Sequence, residues 1–404
     1  MLKNAKDGAV VSSSEHTPSK KFASLFHLRR ITTSGSYIPE IDGLRFVAIL
    51  AVVLYHVPIQ IALRSADQAA TSPFWRTISH GDRGVQLFFV ISGFILGMPF
   101  AAHILNGRSP VRLGSYFLRR VTRLEPPYIL AILLRFPLLA FVMHRPFREI
   151  LHHGLATLLY THSILYGQMS TVNPPAWSLE VEIQFYLLAP LLALSYFSIR
   201  QPSFRRASGL AFLFVAGLLQ QHFMPAEIDS WTLSILNYVQ YFFAGFLLCD
   251  LYLTDWKKIP SHWTWDLVSL AAWAWIFLAQ GGSLHILLPV VTLVAYLAAF
   301  KGHLFNAFFR LSWVSITGGM CYSLYLTHNL TITAVDLFLR HLPGFFTLSQ
   351  WLRVALAYAV VLPAVAFIGL ILYLFVERPC MDKSWPAKLY RSIYPSPSPA
   401  SGPS

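Results

Sequence analysis

The sequence predicts an all-α, polytopic integral membrane protein whose helices, about ten of them transmembrane, form one bundle. Hydrophobic residues make up 55% of the chain and charged residues only 12%, whereas soluble domains are typically about 25% charged. The mean hydropathy is +0.53. Apolar runs near the roughly 20 residues needed to cross a bilayer recur along most of the 404 residues. They leave no room for a sizeable soluble domain.

Three parts follow from composition: 1–38, 39–380 and 381–404. The first is polar, with Lys20, Lys21, Arg29 and Arg30 and without the apolar core of a cleavable signal, which predicts a flexible basic tail. From Pro395 onward the chain is nearly all Pro and Ser, which is typical of disorder. Residues 39–380 form the membrane domain.

Ten apolar runs are the candidate transmembrane spans. They are 43–63, 84–105, 125–143, 181–199, 208–224, 231–253, 265–280, 284–300, 311–338 and 352–376. We expect 231–253 and 311–338 to be tilted or broken. An eleventh stretch, 150–168, is too polar for a confident span because it contains His152, His153, Thr157, His162, Ser163 and Gln168.

The charge pattern orients the bundle. The net charge is +13, and the Lys and Arg residues lie in the tails and in short loops around 108–123, 200–206, 257–258 and 301–310. Cytoplasmic loops carry such an excess, so a membrane orientation explains the basicity and no nucleic-acid partner is expected. Ten spans place two crossings between successive basic segments, which puts both termini in the cytoplasm and 150–168 in or on the outer interface.

The three cysteines, Cys249, Cys321 and Cys380, have neither the even count nor the spacing of a disulfide framework or zinc site. They are interpreted as packing residues, and no metal site is predicted.

Arg45 and His56 are the first candidate catalytic residues. Eleven residues separate them, which on one helix is about 16 Å and about 20° beyond three full turns. They therefore share a face, with Arg45 near the cytoplasmic end and His56 in the outer half. A fixed cation for an anionic donor and an imidazole for proton transfer suit acyl transfer to an alcohol. The alternatives are a topology anchor for Arg45 and a helix–helix hydrogen bond for His56.

Arg120 and Arg123 are three residues apart and share one face if that segment is helical. The planar guanidinium suits phosphate, so they are candidate cofactor-binding residues, with a topology anchor as the alternative. Glu125, Pro126 and Pro127 are predicted to mark the first turn of the next helix.

The segment WSLEVEIQFY begins at Trp177, with Ser178 as the predicted N-cap of a helix. Glu180 and Glu182 in its first turn favour the helix dipole. Glu182 is in addition a catalytic candidate that orients either a sugar hydroxyl or His56, and Trp177 is a candidate for lining the substrate cavity.

Two further segments are polar within apolar surroundings. In GVQLFFVISGFIL, Ser92 and Gly93 indicate close helix packing. In YSLYLTH, Tyr325 and His328 lie on one helical face; they either line the same cavity as His56 or form hydrogen bonds between helices.

Together these segments resemble the acyltransferase 3 family over residues 37–380. The similar motifs, in order, are IDGLRFVAILAVVLYH, GVQLFFVISGFIL, RRVTR, WSLEVEIQFY, YSLYLTH and VERP with Glu377. Each is weak alone, and their order and spacing make the resemblance specific.

The resemblance implies a ten-helix O-acyltransferase of the bacterial inner membrane that acts on surface glycans and related acceptors. Its donor substrate would be acyl-CoA, expected as acetyl-CoA, with no permanently bound cofactor, and its acceptor a carbohydrate or glycolipid hydroxyl. His56 resembles the essential histidine of the family, Arg45 its paired arginine, and Arg120 and Arg123 the arginines that handle acyl-CoA. The sequence departs from the family pattern at Ile183, where a second Glu is usual, and at Gln86, where Asp is common.

Two other functions compete with this hypothesis. A transporter or exporter of a small molecule or glycan also needs intramembrane charge, but the internal repeat that would favour it is not seen. A structural or sensory subunit would use the polar face for partner helices. The sequence leaves open whether His56 is a general base or a transient acyl carrier, and it does not give the oligomeric state.

Overall fold

The computed structural model describes residues 28, 30, 37–61, 73–223, 228–281, 284–382 and 384–386. Within these residues the secondary structure is helical, without a strand. Most of the two predicted tails, including Lys20, Lys21, Arg29 and everything from Pro395, lies outside the described residues. Of the N-terminal tail, Leu28 and Arg30 contact the bundle: the Tyr373 hydroxyl donates to Leu28 O at 3.0 Å, and Arg30 lies 3.5 Å from Asp42.

Fifteen α-helices of five or more residues lie within the described ranges. They are α1 Pro39–Gln60, α2 Pro73–Ser79, α3 Gly84–Asn106, α4 Leu113–Leu133, α5 Phe147–Leu158, α6 His162–Tyr166, α7 Trp177–Phe197, α8 Pro202–Phe223, α9 Val239–Thr254, α10 Thr264–Leu278, α11 Leu284–Lys301, α12 Leu304–Arg310, α13 Ser312–Gly319, α14 Cys321–Arg340 and α15 Gln350–Leu372.

Five helical stretches in the described residues are long and apolar enough to cross a bilayer. They are Pro39–Gln60, Phe74–Asn106, Leu113–Val142, Pro174–Phe197 and Gln350–Cys380. Ile286–Lys301 and Leu304–Arg310, bent by 86°, make a sixth if they count as one span, and α9 and α10 are shorter apolar helices. The all-helical, multi-pass membrane architecture is thus confirmed. Ten crossings are not confirmed, although each of the ten apolar runs overlaps a helix.

Helix α1 occupies the interior of the bundle. It packs against α3, α12, α13, α14 and α15, and Leu44, Ala48 and Val57 are fully buried. A helix that is apolar around its whole circumference is expected to be surrounded by others. The polar side chains of α1, such as Asp42 near its start and His56 near its end, therefore contact neighbouring helices.

Small residues allow two close helix crossings. A Cβ on Gly93 of α3 would lie 2.1 Å from Phe242 O, and one on Gly245 of α9 would lie 2.3 Å from Val90 O. At the second crossing, a Cβ on Gly318 of α13 would lie 1.6 Å from Asp42 O of α1. The predicted packing role of Gly93 is confirmed, because a side chain there would force α3 and α9 apart.

The predicted start of the third span at Glu125 is wrong. α4 begins at Leu113, and both Pro126 and Pro127 lie inside it. A proline lacks the N–H that would bond the carbonyl four residues earlier, which for Pro126 is Thr122 O. Trp385 replaces that donor, since its Nε1–H donates to Thr122 O at 3.0 Å. A tertiary contact therefore lets the helix continue through a sequence that locally indicates a helix start.

The other irregular segments agree with expectation. The run 311–338 is broken at Met320, between α13 and α14, and the run 231–253 becomes a regular α-helix only from Val239. The polar stretch 150–168 forms parts of α5 and α6, and neither helix has the length of a membrane span. Its place at the outer interface stays a prediction.

A buried ion pair joins α8 to α9. Arg205 Nε and Nη2 donate to the two oxygens of Asp250 at 2.9 and 2.8 Å, and both side chains are at most 2% exposed. Removing one partner leaves an uncompensated buried charge, which costs about 3–5 kcal/mol. We expect Asp250→Ala to lower the free energy of unfolding by that amount, measured as a fall in Tm of the detergent-solubilised protein.

The control for Asp250→Ala is Glu149→Gln, which removes the carboxylate from the exposed Arg145–Glu149 pair, 3.6 Å apart. Exposed pairs contribute less than about 1 kcal/mol. Equal changes in Tm for the two variants would contradict a special contribution of the buried pair.

Candidate active site

His56 of α1 and His328 of α14 meet inside the bundle. Their ring centroids are 4.9 Å apart, with an interplanar angle of 68°. His328 is fully buried and His56 is half-buried. The structure thus places two imidazoles side by side, from helices that are far apart along the chain.

The hydrogen bonds of the two rings assign their protons. His56 Nδ1 lies 2.8 Å from Val52 O, and His328 Nδ1 lies 2.6 Å from Tyr325 O. A carbonyl oxygen can only accept, so each Nδ1 carries a hydrogen, and Nε2 of each neutral ring holds the free lone pair. His56 Nε2 is therefore the nitrogen that can take a proton from a substrate hydroxyl.

Tyr325 connects α14 to the segment before α7. Its hydroxyl donates to Pro175 O at 2.7 Å, and the Ser178 hydroxyl lies 2.6 Å from the Tyr325 oxygen. The predicted N-cap role of Ser178 is wrong, because α7 already begins at Trp177. The Ser178 side chain makes a tertiary contact instead. Trp177 packs against Tyr238 at 5.3 Å between ring centroids.

Glu182 makes its hydrogen bonds away from His56. It accepts from the Ser92 hydroxyl of α3 at 2.8 Å and from the Tyr186 hydroxyl one turn along α7 at 2.5 Å. Glu180 instead accepts from the backbone N–H of Ser163 at 2.8 Å. In the described structure, Glu182 therefore orients Tyr186 and Ser92, and no hydrogen bond joins it to the His56 imidazole.

Arg45 lies at the opposite end of α1 from His56 and forms an ion pair with Asp42. Asp42 also faces Arg30 at 3.5 Å. Sequence reasoning missed Asp42, although an Asp three residues before an Arg on one helix was the available signal.

Arg120 and Arg123 lie on α4, which is helical at both positions as expected. The Arg120 guanidinium stacks 3.6 Å from the centroid of the Tyr116 ring and 5.5 Å from that of Tyr186. Arg123 lies 3.7 Å from Glu377 and keeps 27% of its side chain exposed. Glu377 also accepts from the Ser323 hydroxyl at 2.6 Å. Arg120, Tyr186 and Glu182 thus form a continuous set of polar contacts.

Sequence reasoning also missed Arg135, although it is an ionisable residue inside a predicted span, the criterion that selected Arg45 and His56. Its guanidinium donates from Nη2 to the Asn329 side chain and from Nη1 to Val172 O at 2.8 Å. Asn329 directly follows His328, so Arg135 belongs to the same region.

Comparison with known protein families finds a match over most of the chain. A family model described as an acyltransferase domain matches residues 38–373. The chain belongs to the acyltransferase 3 family. The resemblance inferred from the motifs is thereby confirmed, and the region matched by the acyltransferase 3 model contains every site residue discussed above except Arg30 and Glu377.

Curated relatives of this acyltransferase 3 protein include the O-acetyltransferase OatA of Staphylococcus aureus. That protein is 23% identical over 389 residues, covering 88% of this chain and 59% of the relative. The peptidoglycan O-acetyltransferase OatA of Listeria monocytogenes is 27% identical over 173 residues, covering 40% and 25%. The chain thus spans about three fifths of the staphylococcal relative's length. No solved structure matches it.

Proposed function

We propose that the protein is a membrane-bound O-acyltransferase that moves an acyl group, in its simplest form acetyl, from acyl-CoA to a hydroxyl of a carbohydrate or glycolipid acceptor. The observation that carries the proposal is the arrangement along α1. An ionic cluster of Arg45 and Asp42 occupies one end, and an imidazole with a free Nε2 occupies the other, beside His328. The membrane would be a bacterial inner membrane, with both termini cytoplasmic.

Arg120 and Arg123 are the residues proposed to bind the acyl-CoA donor. Guanidinium groups bind phosphate oxygens in a planar, bidentate geometry, which suits the phosphates of coenzyme A. Arg123 is partly exposed, and Arg120 leads through Tyr186 to Glu182. The thioester arm would extend along this polar series, so that the acyl carbonyl reaches His56.

Acyl transfer then needs one base, placed beside the acyl carbonyl, to take the proton of the acceptor hydroxyl. As the acceptor hydroxyl oxygen attacks the thioester carbon, His56 Nε2 takes its proton; the C–S bond breaks, and the departing thiolate takes that proton. If His56 instead carries the acyl group transiently, Nε2 is the attacking atom. The same nitrogen reacts on either route, because Nδ1 is engaged with Val52 O.

The names of the relatives favour a bacterial glycan as acceptor, since one of them is called a peptidoglycan O-acetyltransferase. The decisive experiment incubates the purified full chain in nanodiscs with radiolabelled acetyl-CoA and candidate glycans. We expect label in a base-labile ester on one glycan class. A folded protein that neither transfers nor hydrolyses the acetyl group, but moves unmodified glycan into proteoliposomes, would favour the exporter hypothesis.

Arg120→Gln is expected to raise the KM for acyl-CoA about tenfold with little change in kcat. A hydrogen bond to a charged group contributes about 1.5–3 kcal/mol, and the variant would lose such bonds to the donor phosphates. Steady-state kinetics with varied acyl-CoA measure the effect. Arg119→Gln is the matched control, because Arg119 is the neighbouring arginine and is exposed. Equal KM values for acyl-CoA in both variants would contradict a role of Arg120 in binding the donor.

A further inference from the structure

Arg135 is a buried cation that has no counterion among the residues that the structure describes. Arg135 is 6% exposed. The two groups that accept hydrogen bonds from its guanidinium, Val172 O and the Asn329 side chain, are uncharged. Its Nε is buried and has no hydrogen-bond partner. Among the described residues, no carboxylate forms an ion pair with it. An uncompensated buried charge is costly, so its presence indicates a function.

The backbone around Arg135 is irregular. α4 ends at Leu133, Arg135 begins a short helical turn, and residues 138–142 form a π-helical segment. Such π-helical segments inside helices occur frequently at functional sites. The irregularity places Arg135 opposite α14, where its partner Asn329 directly follows His328.

Arg135 and two residues next to its contacts along the chain carry buried polar atoms that have no hydrogen-bond partner among the described residues. His328 Nε2 and Asn173 Oδ1 are buried without a hydrogen-bond partner, as is Arg135 Nε. Asn173 directly follows Val172, and His328 directly precedes Asn329, the two residues that Arg135 contacts. Buried polar groups are normally satisfied, and one of these unpaired atoms, His328 Nε2, is on the ring that packs against His56. We take them as polar groups that a bound substrate would satisfy.

We propose that Arg135 receives the negative charge that develops on the acyl carbonyl oxygen during transfer; this inference rests on the proposed function. When the acceptor oxygen bonds to the thioester carbon, the C=O electron pair moves onto the carbonyl oxygen, while His56 Nε2 holds the hydroxyl proton. The C=O bond then re-forms, the C–S bond breaks, and the thiolate takes the proton. A cation not neutralised by a carboxylate is suited to stabilise that oxyanion in a site without bulk water.

A permanent anion on the acceptor is the other negative charge that could use the same cation, and kinetics separate the two. An oxyanion exists only in the reaction step, so its loss lowers kcat. A permanent charge is bound in the ground state, so the loss of that contact raises KM.

The test is Arg135→Gln in the full chain, with transfer from labelled acetyl-CoA to the glycan that the wild-type protein uses. We expect kcat to fall about 100-fold, as for loss of one oxyanion donor, with both KM values within about threefold of wild type. Acetyl-CoA binding measured by calorimetry should be unchanged.

Arg83→Gln is the matched control for the loss of a buried guanidinium. Arg83 is also 6% exposed, and it donates to backbone carbonyls of Ile276 and Ala279. We expect its kcat to stay within about threefold of wild type.

A folded Arg135→Gln variant with wild-type kcat would overturn the inference, and so would a rise in KM alone, which would assign Arg135 to a permanent charge on the acceptor. If Arg135→Gln does not fold, Arg135→Met, which also removes the charge and keeps an unbranched side chain, supports the inference by a fall in kcat at unchanged KM and overturns it by a wild-type kcat. A wild-type protein that transfers no acyl group would overturn the proposed function itself, and the inference with it.

Discussion

His56→Ala is expected to lower kcat for acyl transfer by about 1,000-fold or more. A positioned general base contributes about 10²–10⁴-fold, and loss of a covalent acyl carrier would be at least as severe. The fold should persist, because His56 is half-buried and its Nδ1 bond to Val52 O is one hydrogen bond with a net contribution of about 1 kcal/mol. Transfer of labelled acetyl groups by the purified variant measures kcat, and gel filtration in detergent checks folding.

His341→Ala is the matched control for His56→Ala. The His341 Nδ1 also bonds the carbonyl four residues earlier, Leu337 O, at 2.6 Å, but His341 is exposed just after α14. The same local hydrogen bond is thus removed away from the bundle interior. We expect wild-type transfer from this control. Wild-type turnover in a folded His56→Ala protein would disprove the assigned role of the imidazole.

Gly318→Ala is expected to cost about 3 kcal/mol or more of folding free energy, at the upper end of overpacking effects. The added Cβ would lie 1.6 Å from Asp42 O and 2.8 Å from Phe46 N. Both are backbone atoms and cannot rotate away, so α13 would have to move off α1. We expect a low yield of monodisperse protein and a lower Tm.

Gly114→Ala makes the same chemical change near the start of α4, where a Cβ would have nothing within 4 Å. Removing a glycine from a helix should there add about 0.5–1 kcal/mol of stability. Opposite signs of the two Tm shifts are therefore expected. Equal shifts would mean that α1 and α13 do not cross as closely as the structure shows.

Much of the helical structure could be predicted from local sequence. Each apolar run overlaps a helix because a long stretch of apolar residues in lipid must satisfy its backbone within the segment. The long 311–338 run was expected to be tilted or broken, and the structure breaks it at Met320. Two local predictions, the helix start at Glu125 and the N-cap role of Ser178, failed because of contacts with residues far along the chain. Trp385 supplies the donor that Pro126 lacks, and Tyr325 binds the Ser178 hydroxyl.

The number of crossings illustrates another limit. The charge argument required ten spans, whereas five or six described segments have the length and composition of a span. α9 and α10 are too short and α11 bends sharply into α12. Such helices are apolar enough to lie within a membrane protein. Where they end depends on how neighbouring helices pack against them and on which groups bond the free backbone N–H and C=O groups at their ends.

The sequence by itself determined the class of the protein, its helices, the placement of Arg45 and His56 on one helix and its likeness to the acyltransferase 3 family. Only the tertiary structure decided that His56 meets His328, that Arg45 pairs with Asp42 and Arg123 with Glu377, and that no carboxylate in the described part of the chain pairs with Arg135. The physical reason is that most of these helices are apolar on nearly every face. When most faces of a helix are apolar, periodicity does not indicate which face meets which neighbour. Close crossings at glycines and specific polar contacts make that choice.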